Sequence, residues 1–315
     1  MFELFKKRQL GDYIIDTFTF IKNFGKHFFK IFFIMNAAFL IIVAALVYWF
    51  LKINFSVVLE NNSGQFESNF LHYFNDNYAV FIGFIVLFFV VILLLSLFNS
   101  SYPILYLKLI AQRDTNDFTL DDVLKTFRQS LWKIIKFSIG LILLVVPVLI
   151  VVIILLFLLC FVLIGFPLLL IAIPTLFTWL NISFYTYLTE EKSFFQSLNH
   201  AYFLMKKDFW STIGATFLVL IMIQMIQGSI TMFFYFIGIF FFFATAIGNP
   251  NFDVQPFEGS PILFIFITLI FVLLLTLGNI FNNVIMINQG IIYYSLGAKD
   301  KTSTQEIELI GTDNE

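Results

Sequence analysis

The chain has 315 residues, 60% of them hydrophobic and only 12% charged, about half the charged share of an ordinary soluble domain. Mean hydropathy is +0.94, more apolar surface than a water-soluble fold of this size can hide, so a soluble globular enzyme is excluded. Eighteen Lys and Arg against 20 Asp and Glu leave a net charge of −2, so no nucleic-acid footprint is present. What remains is an all-α polytopic membrane protein.

The chain divides into a cytoplasmic N-terminal segment (1–28), a six-helix membrane domain (29–297) and an acidic cytoplasmic tail (298–315). It begins Met-Phe-Glu-Leu-Phe-Lys-Lys-Arg, without an apolar h-region, so no cleaved signal peptide is expected. An amphipathic helix from Asp12 to His27 places Ile14, Phe18 and Ile21 on one face. A helix needs about 20 apolar residues to cross a bilayer core. The first span runs from Phe29 to Leu51 and the second from Tyr78 to Phe98. A second amphipathic helix, Asp121 to Lys136, carries Leu124, Phe127, Leu131 and Ile135, and Thr119 with Asp122 resembles a capping box at its start. The third span covers Phe137 to Phe161 and the fourth Phe166 to Leu188, with Gly165-Phe166-Pro167 turning between them. A third amphipathic helix, Glu190 to Trp210, carries Phe194, Leu198, Ala201, Met205 and Phe209. The fifth span begins at Ser211. From there to Gly248 is about 57 Å of helix at 1.5 Å per residue, too long for one crossing. A break at Gln227-Gly228-Ser229 is expected, with Thr231 to Ile247 re-entrant, in the outer leaflet, or a seventh crossing. The sixth span begins at Ile262 and is expected to leave the bilayer near Gly278. In the tail, five acids against two bases with little apolar surface predict disorder.

Basic residues set the orientation. With both termini inside, 17 Lys and Arg fall on the cytoplasmic side and one, Lys52, outside. This favours six crossings over seven in a bacterial inner membrane. The three amphipathic segments each begin with acidic residues and run through a basic-aromatic stretch into a span. The fold therefore reads as three units, each an interfacial helix followed by a transmembrane hairpin.

The third unit carries Asn181-Ile182-Ser183-Phe184, Glu190-Glu191, then Asn199-His200-Ala201-Tyr202-Phe203-Leu204-Met205-Lys206 and Trp210-Ser211-Thr212-Ile213-Gly214. This pattern resembles the membrane domain attached to some bacterial glycerophosphoryl diester phosphodiesterases and related stand-alone membrane proteins. Leu204, Lys206, Trp210 and Gly214 fit that family's pattern. Its Arg before Ser183 is absent, Ala201 stands for its Ser, and Tyr202 stands for its Trp. The local match covers about 35 residues and the six-span layout extends it loosely over 10–297. It implies a fold rather than an activity.

Phosphodiesterase chemistry would need a separate soluble domain, and the polar loops are too short for one. His27, His72 and His200 are scattered along the chain and form no clustered ligand set. Asp121-Asp122 and Glu190-Glu191 sit at expected helix starts, where negative charge offsets the helix dipole. The lone cysteine, Cys160, reads as a small hydrophobe. No catalytic residue, metal site or cofactor is expected. No ionisable residue lies at mid-depth in a span, which argues against a proton-driven pump.

The polar residues within spans are amides and hydroxyls. Gln224 and Gln227 share a face of the fifth span. Asn279, Asn282, Asn283, Asn288 and Gln289 stripe the last helix. Interhelical hydrogen bonding accounts for them. The sharper alternative is a cytoplasm-facing polar cavity lined by Gln224, Gln227, Asn279, Asn282 and Asn283. Lys206, Lys207 and Trp210, with Ile307 and Leu309 of the tail, are candidate contacts for lipid or a membrane-protein partner. The expected function is that of a non-catalytic integral inner-membrane protein, a subunit or scaffold of a membrane complex. The alternative is a transporter of lipid or a small amphiphile.

Overall fold

A computed structural model describes residues 2–59, 76–113, 117–248 and 261–312. Within these the fold is all-α. The helices are α1 (Leu10–Leu59), α2 (Tyr78–Arg113), α3 (Leu120–Gly140), α4 (Val146–Leu159), α5 (Gly165–Thr189), α6 (Phe194–Lys207), α7 (Phe209–Gly248) and α8 (Pro261–Thr312). Among the described residues six helical stretches are long and apolar enough to cross a membrane: Leu10–Ile53, Tyr78–Arg113, Leu120–Leu159, Gly165–Thr189, Phe209–Phe240 and Phe264–Ala298. This is the expected six-span polytopic architecture.

The junctions differ from those expected. The first amphipathic stretch is continuous with its span in α1. The second reaches its span through a π-helical turn, Leu141–Val145. Pro147 follows that turn; a proline has no N–H for the helical ladder and crowds the carbonyl four residues back, and Val146 N–H bonds five residues back to Leu141 O. Only the third stretch is a separate helix, α6, ended by Asp208 at φ −148°, ψ 57°. Nor does α7 break at Gln227-Gly228-Ser229. One glycine in a helix costs only about 1 kcal/mol, whereas a break in an apolar medium strands several backbone groups. Ser229 Oγ donates to Met225 O at 2.8 Å, staying within its own helix. α8 passes Gly278 as one continuous helix, as expected, but continues to Thr312, where disorder was expected. No Gly or Pro interrupts Ala298 to Ile310, and Lys, Gln, Glu and Leu in that run are good helix formers.

The α4–α5 hairpin turns slightly earlier than expected, through a 3₁₀ turn at Cys160–Val162 and Leu163 at φ 63°. Gly165 then opens α5. A Cβ there would lie 2.6 Å from both Leu156 O and Leu159 C and would strike Cys160 N, so the close return of the chain requires glycine.

The chain forms two units. Unit 1 comprises Met1–Phe32, Leu97–Gln224 and Asn282–Glu315; unit 2 comprises Phe33–Ser96 and Met225–Phe281. In unit 1, Phe28 packs on Tyr102 and Tyr106 at ring separations of 4.7 and 4.8 Å, and Tyr106 on Phe118 at 4.9 Å. Tyr102 Oη donates to Phe28 O at 2.6 Å. A second stack pairs Phe137 of α3 with Phe184 of α5 at 4.8 Å and 10°. The segment before α1 folds onto it: Arg8 is buried, bonding Asp16 Oδ2 at 2.8 Å and the carbonyls of Leu4 and Glu3. In unit 2, Phe84 stacks on Phe50 at 5.3 Å and 14° and on Phe88, while Gly278 of α8 leaves room for Gln227 Nε2 of α7, 3.6 Å from where a Cβ would sit.

The amphipathic stretches divide their residues between protein-packed and outward faces. In α1 the buried positions are Tyr13, Thr17, Phe20 and Phe28, and Phe18 is exposed. In α3 they are Val123, Ser130, Ile134 and Phe137, and Leu124 and Leu131 are exposed. In α6 they are Ser197, Ala201, Leu204 and Met205, close to expectation. The faces packed on protein thus mix large apolar residues with Thr17, Ser130 and Ser197, and Phe18, Leu124 and Leu131 are left outward.

Candidate functional site

The polar stripe of α8 carries a group of buried hydrogen bonds in unit 1. Positions 282, 286, 289 and 293 share one helical face, and Asn288 and Ser295 lie beside it. Asn288 and Gln289 are fully buried. Asn288 Nδ2 donates to Thr17 Oγ1 of α1 at 3.0 Å, and Gln289 Nε2 donates to Thr216 Oγ1 of α7 at 3.0 Å. Thr216 Oγ1 also accepts from Thr178 Oγ1 of α5 at 2.9 Å. One adjacent amide pair therefore ties α8 to α1, α7 and α5. Tyr185 Oη of α5 donates to Met286 O at 2.7 Å, bringing α5 against α8 where Gly290 supplies the clearance: a Cβ there would meet Leu107 Cδ1 and the Tyr185 hydroxyl, with Tyr185 Cζ at 2.8 Å. Gln289 Oε1, Thr186 Oγ1 and Thr212 Oγ1 are buried with no hydrogen-bond partner among the described residues.

The stripe ends on Glu190. This residue follows α5 and precedes α6, whose start is at Ser193, where the backbone N–H donates to Gln196 Oε1 at 3.0 Å. Glu190 therefore does not begin a helix, as its sequence position suggested. It accepts from Tyr293 Oη at 2.6 Å and pairs with Lys192 Nζ at 2.7 Å, with His200 Nε2 at 3.6 Å. Thr189 Oγ1 lies 2.8 Å from the Tyr293 hydroxyl, and Lys108 Nζ donates to Leu188 O at 2.8 Å. Partial burial raises the carboxyl's pKa, but the bonds from Lys192 and Tyr293 and the nearby His200 outweigh it, holding Glu190 below the ordinary glutamate range. At the other acidic pair, the expected capping geometry is present: Thr119 N donates to Asp122 Oδ2 at 2.9 Å, and Arg113 grips the same carboxylate at 2.9 and 3.2 Å.

The sequence-derived candidates are distributed as follows. Gln224 is exposed on α7 in unit 1. Asn282 and Asn283 of α8 are in unit 1, half-buried and buried. Gln227 and Asn279, both half-buried, belong to unit 2. Lys206, Lys207 and Trp210 are exposed around the α6–α7 junction. Ile307 and Leu309 fall on the helical backbone of α8, and their side chains lie outside the described residues. Among the described residues no group of three or more His, Cys, Asp or Glu is placed to hold a metal ion.

Sequence reasoning missed the tyrosine and threonine members, Tyr13, Thr17, Thr178, Tyr185, Thr216 and Tyr293. A signal for one existed: Tyr293 stands four residues after Gln289, one turn along the same stripe. The threonines carried none, because a lone hydroxyl in a span is ordinary. Comparison with family models, with curated proteins and with solved structures finds no match to this chain.

Proposed function

We propose that the chain is a non-catalytic, integral subunit or scaffold of a complex in a bacterial inner membrane, with both termini in the cytoplasm. One observation carries this reading. The adjacent Asn288–Gln289 pair spends its donors on helix–helix bonds to Thr17 and Thr216. Two lateral amides that each clamp a neighbouring helix favour one fixed arrangement of the bundle, as a scaffold needs. A carrier must instead exchange such contacts as it alternates. The orientation rests on the 17-to-1 partition of Lys and Arg,, and the resemblance to the phosphodiesterase-linked membrane domains agrees with a bacterial membrane setting.

The test is purification of the tagged full chain in mild detergent, followed by reconstitution into liposomes. A partner protein at fixed stoichiometry, with no movement of fluorescent lipid across the liposome bilayer, is the expected result. A monomer that moves lipid would overturn the scaffold and favour a transporter of lipid or a small amphiphile.

A further inference from the structure

We propose that the outward faces of α6 and of the first half of α3 are docking surfaces for the headgroups of anionic phospholipid, a role that does not depend on the scaffold reading.

On α6 and its junction with α7, the outward residues are Phe195, Asn199, Tyr202, Phe203, Lys206 and Trp210. Spacings of three and four place Phe195, Asn199, Tyr202, Phe203 and Lys206 on one stripe of α6, opposite the buried Ser197, Ala201 and Leu204, and Trp210 is exposed just beyond the break at Asp208. Phe195 is 67% exposed and Trp210 71% exposed, large apolar groups that water alone would not favour. From Lys192 to Lys207 the chain contains no acidic residue, so the charged groups on the α6 face are all basic. The first half of α3 repeats the design. Lys125, Arg128, Trp132 and Lys136 are exposed, no acid occurs from Leu124 to Ile139, and Lys136 Nζ lies 5.4 Å from the Trp132 ring centroid. In α3 Arg128 stands one helical turn before the exposed Trp132, and at the end of α6 the exposed Lys206 and Trp210 flank the break at Asp208.

The occupant follows from position and charge. α6 is preceded by α5, which ends at Thr189, and followed after Asp208 by α7; both are apolar enough to span. A helix wedged between the ends of two spans lies at headgroup depth. Its inner face is held down by Trp179 Nε1 donating to Leu198 O at 2.9 Å and by Phe194, which packs over Gly140 at the end of α3. The outward face is therefore presented as a rigid surface. Lysine and arginine donate to phosphate oxygens, tryptophan and tyrosine settle at the level of the headgroups, and a basic stripe on an amphipathic helix is drawn to negative lipid. The two designs together imply selectivity for anionic over zwitterionic lipid, beyond the annular contact any span makes.

The test uses the detergent-purified full chain, with bound lipid counted by native mass spectrometry during titration with phosphatidylglycerol or phosphatidylcholine. Phosphatidylglycerol should bind more tightly, and added salt should erode the difference. The double variant Lys206→Gln/Lys207→Gln should lose about fivefold in phosphatidylglycerol affinity per charge removed, with phosphatidylcholine unchanged, and Lys206→Arg/Lys207→Arg should retain it. Inorganic phosphate should not compete, since it lacks the acyl chains that bring the headgroup to this depth. Equal, salt-insensitive binding of the two lipids by the unmodified chain would overturn the proposal even if the variants fail to fold. A lipid preference untouched by Lys→Gln, but loss of a stoichiometric protein partner, would overturn it in favour of a protein interface.

Discussion

The Tyr293 hydroxyl donates to Glu190 Oε1 across 2.6 Å, joining the last long helix to the α5–α6 turn 103 residues earlier in the chain. The carboxylate it meets is also gripped by Lys192, so one acidic side chain organises the end of α5, the start of α6 and the side of α8.

Replacing Tyr293 by Phe removes that donor while keeping the ring. A hydrogen bond to a charged acceptor contributes about 1.5–3 kcal/mol, and partial exposure of Glu190 places this one at the lower end. Thermal unfolding in detergent should show a lowered midpoint. The effect should depend on pH in a defined direction. The folded state holds the Glu190 pKa below its ordinary value; its contribution is full above the ordinary glutamate range and is lost as pH falls through the depressed folded value. The gap between Tyr293→Phe and the unmodified chain should therefore be constant near neutrality and shrink in acid. A gap that widens in acid would show that Glu190 is not the acceptor that matters.

Gly290→Ala should destabilise the bundle by about 1–3 kcal/mol, the usual cost of overpacking. Its Cβ has no space beside Leu107 and the Tyr185 ring, 2.8 Å away at Cζ. Tyr185→Phe in the same chain removes one of the clashing atoms and should recover part of the loss. Independent, additive effects of the two changes would argue against this contact.

The Gln289–Thr216 bond is suited to a double-mutant cycle with Gln289→Leu and Thr216→Val. Hydrogen bonds between helices in a membrane are worth about 0.6 kcal/mol on average and up to about 1.7. Thr216 also accepts from Thr178, a bond that cancels in the cycle, so the coupling should lie near the average. A coupling near zero would mean that apolar packing alone holds α8 to α7.

For topology, cysteines introduced singly at Gln9, Asn77 and Ser193, in a Cys160→Ser background, should react differently with an impermeant maleimide. Asn77 should label on intact cells, and Gln9 and Ser193 only after permeabilisation. External labelling at Ser193 would reverse the orientation drawn from the basic residues.

The sequence determined the class of fold and the number of spans, because both depend on summed hydropathy and segment length, which every residue reports independently of its neighbours. The capping pair Thr119 and Asp122 was legible for a similar reason, since a cap is local. The inward faces were not legible. In water, the apolar face of a helix is the buried one. In a bilayer the lipid is as apolar as the core, so Phe18, Leu124 and Leu131 face outward while Thr17, Ser130 and Ser197 are buried. The amide stripe on α8 was visible as composition. That Asn288 reaches Thr17, that Gln289 reaches Thr216, and that Glu190 serves Tyr293 rather than a helix start depended on which helices meet at one level. That is a property of the assembled bundle, and no spacing along a single segment encodes it.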